Sequence, residues 1–92
     1  LGISHGVGKA GVAGVNDDEI GNGVYGSSRR GNGVFGHSSA ASHAGIAASN
    51  DGGGNAIYAA SNTGEALHAV TAGDQVACIA AYNTGKGAAI YG

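Results

Sequence analysis

The feature that most constrains this chain is a short internal repeat along its 92 residues. In each unit a Gly or Ala precedes an aliphatic residue, a variable residue and another Gly or Ala; His5 and Cys78 are the two departures. The aliphatic positions recur at intervals of about 9–12 residues, which predicts a linear stack of similar units. The nine openings are Gly2-Ile3-Ser4-His5, Gly11-Val12-Ala13-Gly14, Gly23-Val24-Tyr25-Gly26, Gly33-Val34-Phe35-Gly36, Gly45-Ile46-Ala47-Ala48, Ala56-Ile57-Tyr58-Ala59, Ala66-Leu67-His68-Ala69, Ala77-Cys78-Ile79-Ala80 and Ala89-Ile90-Tyr91-Gly92.

The alternation inside each opening predicts a short strand. Residues two apart on a strand share a face, so the aliphatic and the second small residue would form a thin core. The variable residue, which is aromatic in Tyr25, Phe35, Tyr58 and Tyr91, would face the other way. In the eighth unit a slip of one residue would bury Ile79 instead of Cys78. The predicted buried set is Val12, Val24, Val34, Ile46, Ile57, Leu67, Cys78 and Ile90.

Turn-forming residues follow the openings and predict a corner after each strand. A helix is the competing interpretation for Glu65–Ala72 and Asp74–Thr84, which are rich in Ala. We disfavour it because these segments align with units full of Gly, which costs about 1 kcal/mol relative to Ala inside a helix. The clearest corner segments are Ser27-Ser28, Asn50-Asp51-Gly52, Asn62-Thr63-Gly64 and Asn83-Thr84-Gly85.

Composition limits how such a chain can be stabilised. It has 20 Gly and 18 Ala, no Pro, Met or Trp, and only five aromatic residues. Few large apolar side chains are available to offset about 1–2 kcal/mol of backbone entropy per residue. We therefore expect order to come from backbone hydrogen bonds, from other chains or from both; without them the segment would be disordered. The low charge argues against the usual charged, hydrophilic disordered class. The net charge of −2 gives no reason to expect nucleic acid, and no apolar run is long enough for a membrane span.

These patterns predict an all-β fold, either a repetitive β-solenoid or an interwound triple-stranded β-helix, built from nine strand-plus-corner units of about 10–12 residues each. Residues 1–92 would form a single repetitive β-helical segment, and the start at Leu1 suggests a piece of a longer fibrous protein. Tyr25, Tyr58 and Tyr91 recur at an equal spacing, as expected if three units return the chain to one side. One coiled chain would have only about three layers, whereas three chains would have about nine, which favours three chains.

A resemblance supports the fibrous interpretation. Gly21-Asn22-Gly23-Val24-Tyr25-Gly26 and Gly31-Asn32-Gly33-Val34-Phe35-Gly36 resemble the Gly-Val-Tyr-Gly repeats of proteins of the bacterial and phage tail-fibre type. The periodic Val-x-Gly pattern is also similar to the triple-stranded β-helix of phage needles and tail spikes. The resemblance covers about residues 11–48 and implies a trimeric shaft, extracellular or on a virion surface.

The residues that could carry chemistry favour no catalytic, cofactor or metal site. The histidines lack paired ligand spacing, although a trimer could bring three copies of one together. The acidic run Asp17-Asp18-Glu19 lacks the calcium-binding repeat, so we interpret it as a solvated loop. We interpret Cys78 as a small buried hydrophobe and Arg29-Arg30 as a solvated corner. The four histidines are His5, His37, His43 and His68.

Three functions remain open from the sequence. The first is a structural fibre or filament segment, with the chain itself as partner in a homotrimer or polymer and cell-surface polysaccharide as a second partner. The second is a monomeric β-solenoid that binds ice or a polysaccharide through an outward face. The third is an amyloid-like assembly of stacked strands. None requires an enzyme, a cofactor, nucleic acid or a membrane.

Overall fold

A computed structural model describes residues 1–92 and contains no helix and no strand. The predicted all-β solenoid or β-helix is therefore wrong for this chain, and so is the helical alternative. The physical reason is that a strand exists only when its backbone pairs with another. The only backbone–backbone hydrogen bond runs from the N–H of Lys9 to the carbonyl of Gly6, at 3.3 Å. The chain has no helix that could span a membrane.

The chain divides into two units, Leu1–Ala47 and Ala48–Gly92. Within each unit, no two residues twelve or more positions apart bring their Cα atoms within 8 Å. A solenoid with three repeats per turn would need contacts about 33 residues apart. Each repeat instead approaches only its neighbour along the chain. A single-chain coil, with stacked residues at this spacing, is thus not formed.

Three kinds of corner organise both units, each built by a polar side chain that accepts a hydrogen bond from a nearby backbone N–H. In the first kind, which we call corner 1, a hydroxyl oxygen accepts from the N–H two residues later. The donors and distances are Gly6 to Ser4 at 3.3 Å, Ala40 to Ser38 at 3.2 Å and Gly73 to Thr71 at 3.2 Å. Such turns form locally and need no sheet.

The second kind, corner 2, is built on asparagine. The side-chain oxygens of Asn16, Asn50 and Asn83 accept from the N–H two residues later, at 2.8, 2.7 and 2.7 Å. The side-chain amides of Asn50 and Asn83 also donate to the carbonyls of Asn55 and Ala88, at 3.3 and 3.1 Å. One asparagine therefore bridges both ends of its corner.

In the third kind, corner 3, a serine hydroxyl accepts from the N–H three residues later. Ser28 accepts from Gly31 and Ser61 accepts from Gly64, each at 3.0 Å. The three kinds follow one another in fixed order along the chain, so each kind recurs after three repeats. The equal spacing of the tyrosines therefore reflects the return of the same kind of corner after every three repeats.

The corners also correct the repeat register. Gly2 approaches Gly11 and Val12 as Gly36 approaches Gly45 and Ile46, so Gly2 is the last small residue of a repeat and not an opening. Cys78 lies as many residues after the corner at Thr71 as Gly45 lies after the corner at Ser38. Cys78 therefore occupies the first small position of its repeat, the position that precedes the aliphatic residue. Ile79 is then the aliphatic residue of its repeat. The corrected repeats begin at Gly11, Gly23, Gly33, Gly45, Ala56, Ala66, Cys78 and Ala89.

The predicted buried face is absent from the single chain, which has no buried residue. Val34 and Ile46 are each 65% exposed, and Ile79 is 60% exposed. Cys78 is also exposed, contrary to its interpretation as a core residue. The cause is the thinness of each repeat, since one aliphatic side chain beside a glycine cannot be enclosed. The other members of the predicted buried set are likewise exposed: Val12, Val24, Ile57, Leu67 and Ile90.

Candidate functional site

The structure contains no pocket and no group of three or more His, Cys, Asp or Glu side chains arranged to hold a metal ion. The histidines make only local contacts. His37 stacks on Phe35 with ring centroids 6.4 Å apart and ring planes 8° apart. His43 shares a hydrogen bond of 3.1 Å with the hydroxyl of Ser42, and His68 pairs with the carboxylate of Glu65.

A feature repeated through the first unit is the close approach between the end of one repeat and the start of the next. A methyl group added to Gly26 would lie 2.5 Å from the carbonyl oxygen of Gly33 and 2.5 Å from Cγ2 of Val34. Gly36 faces Gly45 and Ile46 in the same way, with 2.7 Å to the Gly45 oxygen. The aliphatic side chain therefore lies over the last small residue of the preceding repeat, and glycine permits this spacing.

The second unit places alanine at the matching small positions. Gly14, Gly26 and Gly36 of the first unit correspond to Ala48, Ala59 and Ala69. The first small residues change in parallel, from glycine at 23 and 33 to alanine at 56 and 66. The two halves share one repeat plan but carry different small residues along it, a difference already present in the sequence.

The variable residue after each aliphatic one depends on the preceding corner, a relation that becomes visible only in the corrected register. It is alanine after corner 1, tyrosine after corner 2, and Phe35 or His68 after corner 3. In the sequence this relation is visible as the equal spacing of the tyrosines. If Cys78 is taken as the aliphatic residue, the variable residue of that repeat becomes Ile79 and the matching alanines are not recognised. The alanines are Ala13, Ala47 and Ala80, and the tyrosines are Tyr25, Tyr58 and Tyr91.

Together these residues leave a large apolar surface open to solvent. The chain exposes 9,105 Å², whereas a compact protein of its 8.7 kDa mass exposes about 4,700 Å². The excess is therefore about 4,400 Å². Tyr58 and Tyr91 are 82% and 95% exposed. We call the aliphatic residues and their neighbouring small residues, together with the free backbone groups between corners, the repeat face.

Comparisons with protein-family models, with curated proteins and with solved structures found no match.

Proposed function

We propose that this chain is a structural segment of a fibre or filament, and that its partner is further copies of itself. The observation that carries the proposal is the repeat face. Nearly every backbone donor and acceptor between corners lacks a partner within the chain, and all the large apolar side chains are exposed. Backbone groups and apolar side chains of this kind are satisfied together when another chain lies alongside.

The available area supports an assembly that is more than a transient contact. The excess surface of about 4,400 Å² per chain is larger than the roughly 800 Å² per partner that a standard-size interface buries. Obligate interfaces are also more apolar than transient ones, and aliphatic residues recur along the whole repeat face. A second copy is the partner we propose for this face because the chain presents the same short motif in each repeat.

Charge presents little obstacle to packing copies together. The chain has four Lys or Arg and six Asp or Glu residues, for a net charge of −2. The net repulsion between copies is therefore small, and these charges are mostly separated from the repeat openings. The number of copies implied by the tail-fibre resemblance is three, and the same resemblance supports a location outside the cell or on a virion surface. Cell-surface polysaccharide is the external partner in that setting.

Sedimentation equilibrium over a range of concentrations tests the proposal. We expect a mass near three times 8.7 kDa, or a larger polymer, with the monomer appearing only on strong dilution. A folded 8.7 kDa monomer at all concentrations would contradict it. A dependence of mass on concentration without a limiting value would favour the filament over the closed trimer.

A further inference from the structure

We propose that the three corner kinds set the register in which copies assemble: chains lie parallel, with like corners side by side and no offset. The inference rests on the proposed self-assembly and adds to it the orientation and alignment of the copies. Three observations carry it: unequal repeat lengths, the fixed order of the corners, and one extra residue in the first asparagine corner.

Repeat length disfavours an offset of one repeat. The repeat from Gly33 to Gly45, which contains corner 1, is two residues longer than the repeat from Gly23 to Gly33, which contains corner 3. The repeats with corner 2 that begin at Gly45 and Cys78 are intermediate in length. A shift by one repeat would therefore set unequal lengths side by side. Since extended side chains alternate, a slip of one residue turns the aliphatic residues away from the shared face.

Corner order disfavours antiparallel chains. Along one chain the corners follow the order 1, 2, 3, and an antiparallel neighbour would present them as 3, 2, 1. At most one corner in three could then meet its own kind, and the remaining repeats would again differ in length. Parallel copies are the only arrangement in which every corner meets an equivalent one.

An offset of three repeats matches corner kinds but fails at one place. The first asparagine corner belongs to the repeat from Gly11 to Gly23, which is one residue longer than its two later equivalents. The extra residue lies in the segment 18–20, next to the hydrogen bond between Asn16 and Asp18. With an offset of three repeats, every residue before this corner would be displaced by one position from its equivalent in the neighbouring chain. Zero offset is the register in which all repeats agree.

The matched apolar side chains agree with this alignment, whereas the acidic run Asp17-Asp18-Glu19 and the pair Arg29-Arg30 would lie beside their own copies and oppose it locally. With no offset, each tyrosine repeat lies beside a tyrosine repeat and each alanine repeat beside an alanine repeat. Aromatic side chains on neighbouring chains then meet aromatic ones; between paired strands such a contact contributes about 0.2–1 kcal/mol. An offset of one repeat would set Tyr25 beside Phe35 but Phe35 beside Ala47, so the side-chain volumes would alternate irregularly.

Site-specific cross-linking tests the register. Single cysteines are placed at exposed corner positions in a Cys78→Ala background, as Ser42→Cys, Thr63→Cys and Gln75→Cys. The three variants are dissociated, mixed, reassembled and treated with a short bis-maleimide, and the linked peptides are identified by mass spectrometry. We expect links between identical positions, namely 42 to 42, 63 to 63 and 75 to 75.

Links between positions 63 and 75 would show an offset of one repeat or antiparallel chains, and links between 42 and 75 would show an offset of three repeats or antiparallel chains. Either as a major product overturns the proposed register while leaving self-assembly standing. A mixture that sediments as monomer and forms no links overturns both. Deleting Glu19 equalises the asparagine repeats, so we expect links between 42 and 75 to rise at least several-fold. No rise would contradict the role given to the extra residue.

Discussion

Replacing Gly26 with Val tests whether the close approach between neighbouring repeats supports assembly. The added Cβ would lie 2.5 Å from both the Gly33 oxygen and Cγ2 of Val34. Real Cβ atoms do not approach this closely, and one obstacle is backbone, so the two repeats must separate. Overpacking of this kind costs about 1–3 kcal/mol per chain.

The magnitude is amplified by the number of chains. A dissociated chain can separate the two repeats and relieve the strain, whereas a chain held between its neighbours cannot, so in a trimer the total is about 3–9 kcal/mol. Since each 1.4 kcal/mol is about tenfold in an equilibrium constant, even the lower figure weakens trimer formation by about 100-fold. Sedimentation equilibrium should show the variant dissociating at concentrations where the original chain remains assembled.

Two substitutions serve as controls. Gly53→Val adds the same side chain where nothing lies within 4 Å and φ is not positive, so we expect no comparable loss. Tyr25→Ser removes a side chain that is 78% exposed in the chain and should weaken assembly less than Gly26→Val. If Gly26→Val sediments like the original chain, or if Gly53→Val is equally disruptive, the close approach is not what supports assembly.

The corners and the exposed groups give three further predictions. Asn83→Ala removes the hydrogen bonds to Gly85 and Ala88, which contribute about 0.5–1.5 kcal/mol each, and should lower the thermal dissociation midpoint of the assembly. The control Ser49→Ala removes no hydrogen bond and should leave that midpoint unchanged. The exposed thiol of Cys78 should react with maleimide in dissociated chains as fast as a free thiol in a peptide; slow labelling there would contradict its exposure. Far-ultraviolet circular dichroism of dissociated chains should show no helix minima, and a helical spectrum would refute the absence of helix.

The corners are the part of the structure most predictable from sequence. The residue types of Asn50-Asp51-Gly52 and Asn83-Thr84-Gly85 predict turns, and both segments turn through the same side-chain hydrogen bond. The reason is that these turns depend on contacts two to five residues apart. Local chemistry alone determines them, and the sequence displays that chemistry directly.

The strands could not be predicted correctly because their formation depends on a partner that the chain does not supply. Alternation around Val24 or Ile57 indicates which side chains share a face, but it does not say whether another backbone lies alongside. The register error at Cys78 has a different origin. Counting aliphatic residues allows either Cys78 or Ile79, and only the corner at Thr71, equivalent to that at Ser38, selects Ile79.

The division between corners and repeat openings explains how one chain can be both locally ordered and dependent on other copies. Corner hydrogen bonds close over two to five residues, so they do not require assembly and reduce the conformational freedom that assembly must otherwise remove. The aliphatic residues contribute little in the single chain, because Val34 remains 65% exposed beside Gly26. Their apolar surface becomes stabilising only when a second copy covers it, at about 25 cal/mol per Å². The corners therefore determine where neighbouring copies can align, and the repeat face supplies the free energy that holds them together.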